Sequence, residues 1–138
     1  MPKSGVELPG STYLLIINVQ RAIEIRVRSG QDFFLEPGLY IYVGSAKGRL
    51  KPRLTRHFRH EKKLFWNIDY LLADFKPFLV FVLSPDYDEV TTALMLSHSL
   101  QFIRNFGAAD DPINVSHLFY FRGSVKELLD IIPDILIN

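Results

Sequence analysis

The chain has 138 residues, 48% of them hydrophobic and 13% aromatic, and its formal net charge at pH 7 is +1. This length is typical of one domain, predicted here over residues 1–138, and the apolar content excludes a wholly disordered chain. The sequence contains no cysteine, which excludes disulfides, cysteine-ligated zinc and a cysteine nucleophile.

The N-terminal sequence and the hydropathy pattern predict a cytoplasmic protein. Residues 1–5 lack the basic start and the apolar stretch of a signal peptide. No apolar run approaches the roughly 20 residues that a membrane-spanning helix needs, so no membrane association is expected.

Positive charge is concentrated in residues 45–63, here called the basic segment. It holds eight of the chain's 16 lysine and arginine residues and one acid, Glu61. A solvated helix face gives the same pattern, but such a concentration is also typical of a surface that binds phosphates. We predict that the segment binds DNA, with RNA as an open alternative, through Lys47, Arg49, Arg56, Arg59, His60 and Lys62.

The first third of the chain is predicted to form three strands. Residues 12–19 are β-branched and aliphatic, and residues 23–28 alternate apolar and charged side chains. The two strands are expected to form a hairpin, with a turn over residues 29–32. Pro37-Gly38 forms a second turn before a third strand over residues 39–43.

The remainder of the chain alternates helices and strands. A basic helix is predicted from residue 49 to residue 60, with Pro52 tolerated in its first turn. Residues 65–72 fit either a short helix or a strand. The fold class is therefore α+β, with a small mixed, largely antiparallel β-sheet flanked by helices. The later elements are a strand over 78–83, a helix over 86–104, a loop over 105–116, a strand over 116–121 and a short helix over 124–131.

The basic helix has two distinct faces, because each residue advances by 100°. His57 lies between the faces, either as a boundary residue or as a group that serves a cleft. The apolar face, which we expect to pack on the sheet, consists of Leu50, Leu54 and Phe58. The cationic face consists of Arg49, Arg53, Arg56 and His60.

Several segments together form a known pattern. Ser11-Thr12-Tyr13 precedes Tyr42-Val43-Gly44, and Arg53 and His57 follow on the basic helix. This order resembles the GIY-YIG nucleases, in which a G-x-Y strand and a Y-x-G strand precede a helix that bears an Arg and often a His. The long spacing between Tyr13 and Tyr42 is similar to that in the branch described as domain of unknown function 123. Its W-x-I-D-Y-L-L and F-G-x-S-D…S-H-L-F-Y stretches have counterparts at 66–72 and 106–120, so the resemblance covers about residues 11–121.

The resemblance implies a metal-dependent endonuclease that hydrolyses phosphodiester bonds in DNA and selects DNA structure rather than sequence. Tyr13 would act as, or activate, the general base, and Tyr42 would orient the water or the phosphate. Arg53 would pair with the scissile phosphate, and His57 completes the catalytic set. A carboxylate would hold Mg²⁺ or Mn²⁺. Tyr13, Tyr42 and Arg53 should therefore face one cleft.

The sequence departs from the family pattern at three positions. Ser11 occupies the first glycine position, and Asn67 occupies a position where the branch commonly has histidine. Thr91 aligns with the metal-binding glutamate, and threonine cannot supply an anionic oxygen. Asp88 is the first candidate to replace it, because it lies one helical turn earlier on nearly the same face. Glu89 is the second candidate, if the first helical turn is irregular or the alignment shifts.

Two other classes of function remain open. The first is a catalytically impaired domain that binds nucleic acid without cutting it. The second is an interaction module whose apolar surface supports a homodimer or joins a larger nucleic-acid-processing complex. Such a surface would include Phe33, Phe34, Phe102 and residues 131–137, although filling the core is an alternative use of each.

Overall fold

The computed structural model describes residues 11–59 and 62–137, and this part of the chain has an α+β architecture. It contains a five-stranded sheet, a two-stranded sheet and four helices, which confirms the predicted fold class. In chain order the elements are β1 (Thr12–Val19), β2 (Ile23–Arg26), β3 (Asp32–Leu35), β4 (Gly38–Ser45), α1 (Leu50–Phe58), α2 (Asn67–Leu72), β5 (Pro77–Val82), α3 (Glu89–Ser97), β6 (Gln101–Phe102), β7 (Leu118–Phe121) and α4 (Val125–Ile137).

The larger sheet has the strand order β5-β1-β4-β7-β6, and all its pairings are antiparallel. Within it β1 pairs with β4, so that Tyr13 lies opposite Gly44. On its other side β1 pairs with β5, and Tyr13 lies opposite Val82. The start of β1 and the ends of β4 and β5 therefore meet at one end of the sheet.

Strand β1 is buried on both faces, which explains its unbroken apolar run. Alternate residues point to opposite sides of a strand. Leu15 and Ile17 pack in a core that is completed by β2, β3, α1 and α2. Leu14 and Ile16 pack in a second core, which α3 and α4 cover. Within residues 11–59 and 62–137, no helix is both long and apolar enough to cross a membrane.

The predicted hairpin between the first two strands is wrong. Strand β2 pairs with β3, in a register that sets Ile23 opposite Leu35 and Arg26 opposite Asp32. Strand β3 begins inside the predicted turn and was not predicted. Its alternating burial specifies this pairing, and an exposed ion pair between Arg26 and Asp32, at 2.8 Å, lies at its end.

Three helix predictions need correction. Helix α3 ends at Ser97, because residues 101–102 pair with β7 instead of continuing the helix. Helix α4 runs on to Ile137, beyond the predicted end. On α1, Phe58 is 43% exposed and does not join the apolar face, whereas His57 is buried. The ambiguous residues 65–72 contain helix α2.

A glycine allows the Tyr13 ring to lie against the neighbouring strand. A Cβ atom at Gly44 would lie 2.5 Å from Cζ of Tyr13, and Tyr13 is only 1% exposed. The ring therefore cannot move aside into solvent. This contact gives a physical reason for glycine at the end of β4.

We predict that Gly44→Ala lowers the free energy of unfolding by about 1–3 kcal/mol, the usual cost of overpacking. In a Tyr13→Ala background the same change should be neutral or stabilising, because alanine is favoured over glycine within a strand. Urea unfolding of the four proteins of this cycle tests the prediction. An equal cost in both backgrounds would show that the ring does not cause the effect.

Candidate active-site cleft

A cleft of about 550 Å³ opens at the end of the sheet where β1 starts and β4 ends. Helix α3 begins at the same end, after β5, and the segment before β7 also reaches it. The cleft is lined by Tyr13, Tyr42, Ser45, Lys47, Arg53, His57, Phe65, Trp66, Asn67, Glu89, Val90, Gly107, Ala109, Asp110, Asp111 and His117. The four predicted catalytic residues, from β1, β4 and α1, are therefore brought together.

Tyr13 and His57 form a buried pair, with the tyrosine hydroxyl 2.7 Å from Nε2 of His57. Burial lowers the pKa of His57 to about 4, and the positive charge of Lys62 acts in the same direction. His57 is therefore neutral at pH 7. Burial raises the pKa of the Tyr13 phenol well above its usual value, and the charge of Arg53 offsets only part of this rise. Tyr13 accordingly keeps its proton at neutral pH.

Tyr42 and Arg53 lie beside this pair. The Tyr42 and His57 rings meet edge to face, with centroids 6.4 Å apart, and burial raises the pKa of Tyr42. Nη1 of Arg53 donates to the carbonyl oxygen of Ser45 at 2.9 Å. Its guanidinium carbon lies 4.4 Å from the ring centroid of Trp66. These contacts hold Arg53 at the cleft wall with further N–H groups available.

The two candidate metal-binding acids lie in different surroundings. Asp88 caps α3, since its Oδ1 accepts the backbone N–H of Thr91 at 2.7 Å and its Oδ2 accepts the Thr91 hydroxyl at 3.2 Å. It does not line the cleft, whereas Glu89 does. The geometry therefore favours the second candidate, Glu89, over the first. Thr91 also lies outside the lining.

His117 lies between two carboxylates and was given no role by sequence reasoning. Nε2 of His117 lies 2.6 Å from Oδ2 of Asp111, and Nδ1 lies 3.1 Å from Oε2 of Glu89 in an ionic contact without the alignment of a hydrogen bond. Burial alone would lower the pKa of His117, but the two carboxylates outweigh it and raise the pKa. Asp111 is itself held by Nδ2 of Asn114 at 2.7 Å. The S-H-L-F-Y stretch was the available signal for His117.

The described members of the predicted nucleic-acid-binding set do not form one surface. Lys47 lines the cleft, and Arg49 is exposed just before α1. Arg59 lies in a separate surface depression beside Phe58. His60 lies outside the described residues.

Arg56 and Lys62 are committed to contacts within the protein. Nη2 of Arg56 lies 2.5 Å from Oδ2 of Asp69, whose side chain is fully buried. Nζ of Lys62 donates to the carbonyl oxygens of Arg56 and His57, at 3.0 and 3.3 Å, at the end of α1. Both residues therefore stabilise the fold of this segment, which leaves fewer of their N–H groups for a phosphate.

The acids of the cleft fit only one kind of metal site. Among the described residues, no group of three or more His, Asp or Glu side chains could hold a metal ion by itself. Mg²⁺ commonly takes one or two protein carboxylates and completes its shell with water and substrate phosphate. Glu89 and Asp110 both line the cleft and are donors of the required type.

The fold and the cleft define an α+β protein in which tyrosine, arginine, histidine and glutamate side chains meet at one end of an antiparallel sheet. Over residues 12–136 the chain matches the family described as Domain of unknown function DUF123, and it belongs to that family. No curated protein gives a significant match, and no solved structure does.

The buried neutral state of His57 predicts a pH dependence of stability. In the unfolded chain a histidine has a pKa of about 6.5, whereas in the folded protein the pKa of His57 is about 4. Between these values the unfolded state binds more protons, so stability falls as pH falls. The full effect corresponds to about 3 kcal/mol.

His57→Gln should therefore flatten the loss of stability on acidification between pH 7 and about pH 4. The control is His98→Gln, a change at an exposed histidine. The measurement is the free energy of urea unfolding at several pH values. His117 is present in every variant, so its own titration cancels in the comparison. An unchanged slope in His57→Gln would contradict the buried neutral histidine.

Proposed function

We propose that this protein is a metal-dependent endonuclease that hydrolyses phosphodiester bonds in DNA, as the resemblance to the GIY-YIG nucleases implies. One observation carries the proposal: Tyr13, Tyr42, Arg53, His57 and Glu89 come from distant parts of the chain and line one cleft. Packing alone gives no reason for these particular polar groups to line one cleft.

The cleft has the groups needed to bind a phosphodiester. Arg53 is fixed by Ser45 and Trp66, so its remaining N–H groups are preorganised for a phosphate oxygen. Lys47 lies on the same lining and adds a second positive charge. Helix α1 has no acid in its first turn, so its N-terminus also favours an anion.

Tyr13 and His57 can move a proton away from the attacking water. The water oxygen forms the new bond to phosphorus while the tyrosine oxygen takes its proton. The tyrosine passes its own proton to Nε2 of His57, which is neutral at pH 7 because its pKa is about 4. The bond from phosphorus to the leaving oxygen breaks, and solvent protonates that oxygen. Tyr42 lies beside this pair and can orient the water or the phosphate.

Glu89 is the residue that we assign to hold Mg²⁺ or Mn²⁺. A bound divalent ion would offset the charge that develops on the phosphate and the leaving oxygen. His117, which is hydrogen-bonded to Asp111, makes an ionic contact that holds the Glu89 carboxylate near it. His117 and Asp111 are therefore positioning residues for this acid.

The positions of Glu89 and of several apolar residues weigh against the two alternatives, an impaired binding domain and an interaction module. Glu89 supplies a carboxylate that the Thr91 position lacks, which weakens the argument for an impaired binding domain. For an interaction module, Phe33 is buried in the core, whereas Phe34 is 64% exposed. Residues Ile132 and Leu136 of α4 also belong to the core. A homodimer therefore stays a prediction.

Cleavage of plasmid and branched DNA with Mg²⁺ or Mn²⁺ tests the proposal. Glu89→Gln and Arg53→Ala should each lower the cleavage rate by about 10²–10³, the usual effect of removing one electrostatic contact to the transition state. Glu89→Gln should retain DNA binding. Asp88→Asn is the control, because asparagine also caps helices and should leave the rate unchanged. An inert wild-type protein that still binds DNA would favour the impaired domain.

Binding to duplex DNA should depend on salt through Lys47 and Arg49. Replacing both by glutamine should weaken binding and reduce the slope of log K against log salt by about 2, since each phosphate contact contributes about 0.9. The charge-matched control is Arg122→Gln with Lys126→Gln, whose side chains are 79% and 87% exposed near α4. Equal slope changes in the two double variants would show that net charge, not the cleft, controls binding.

A further inference from the structure

A half-exposed phenylalanine lies at the cleft. Phe65 is 49% exposed and lines the cleft together with Trp66, Lys47 and Arg53. Of the exposed phenylalanines among the described residues, Phe65 is the one that lines the cleft. The exposed half of this ring is apolar surface beside the proposed scissile phosphate, and a ligand in the cleft can cover it.

The position of Phe65 is fixed even though its ring is exposed. Its backbone N–H donates to the buried Oδ2 of Asp69 at 2.9 Å. The ring meets Trp66 edge to face, with centroids 5.8 Å apart. The guanidinium carbon of Arg28 lies 4.6 Å from the ring centroid. The ring is therefore held in place before any ligand arrives.

Two adjacent aromatic rings lie between guanidinium groups, of which Arg53 lines the cleft. Arg28 lies at Phe65, Phe65 contacts Trp66, and Arg53 and Arg56 lie 4.4 and 4.7 Å from the Trp66 centroid. Surfaces that bind single-stranded nucleic acid combine the same two groups. The rings stack on bases, and the cations attract the backbone.

We infer that Phe65 is a stacking site for one unpaired base next to the phosphate held by Arg53. In paired duplex DNA both faces of a base are covered by its neighbours, so a base reaches Phe65 only by leaving the stack. An unpaired base leaves at the least cost. The preferred substrate is therefore DNA that is single-stranded or contains an unpaired nucleotide. This inference rests on the proposed function and specifies the substrate class of the same cleft.

The experiment measures binding without divalent metal, by fluorescence anisotropy in EDTA. The three ligands are a labelled single strand, a duplex with one unpaired nucleotide and the fully paired duplex. Phe65→Ala should weaken binding to the first two by roughly tenfold, within the range for one stacked base, and leave binding to the paired duplex unchanged. Phe65→Tyr should restore the affinity, because its ring presents the same face.

The matched control is Phe78→Ala. Phe78 is 45% exposed but lies on β5 at the end of the sheet opposite the cleft, next to the pairing of Pro77 with Ile17. This variant should bind all three ligands as the wild type does. An equal loss on all three ligands in Phe65→Ala, or no loss on any, would overturn the stacking site.

The outcomes also separate this inference from the proposed function. Selective loss in Phe65→Ala, with no cleavage by the wild type in Mg²⁺ or Mn²⁺, would support the stacking site and refute the nuclease. Cleavage by the wild type with no selective loss in Phe65→Ala would support the nuclease and refute the stacking site.

Discussion

The buried hydrogen bond between Tyr13 and His57 is the contact on which the geometry of the cleft depends. It joins the start of β1 to α1, so it fixes the helix that carries Arg53 against the strand that carries Tyr13. Both residues are 1% exposed, and a polar group left unpaired at such a position would cost about 1–3 kcal/mol. Gly44 leaves the space that the tyrosine ring needs on the neighbouring strand. The same atoms that stabilise the fold thus also set the spacing of the side chains in the cleft.

A buried carboxylate explains why the basic segment has less free charge than its sequence suggests. Asp69 is fully buried, and its Oδ2 accepts N–H groups from Phe65, Trp66 and Arg56. A buried carboxylate needs such partners, so Arg56 is tied to it. Lys62 is likewise held by the last carbonyl groups of α1. The positive charge left for a phosphate lies mainly at the start of α1, beside the cleft.

The order of the sequence motifs was sufficient to predict the strand and helix residues of the cleft. Tyr13 and Tyr42 lie on paired strands, and Arg53 and His57 are one helical turn apart, so spacing along the chain converts directly into geometry. The choice between Asp88 and Glu89 could not be made in this way, because it depends on which residue caps α3. The pairing of β2 with β3, and the contact of His117 with Asp111 and Glu89, require knowledge of which distant segments meet.

Some residues of the cleft lie on strands and helices, and others lie on connecting segments. Tyr13 and His57 lie on β1 and α1, where close packing tolerates little change. Lys47, Phe65 and Asp110 lie on connecting segments, which tolerate substitution more readily. The two parts meet at Gly107, which has φ +74° and would place a Cβ atom 3.4 Å from the Tyr42 ring. The connecting segments of the cleft can therefore vary without disturbing the core, as long as that close approach is kept.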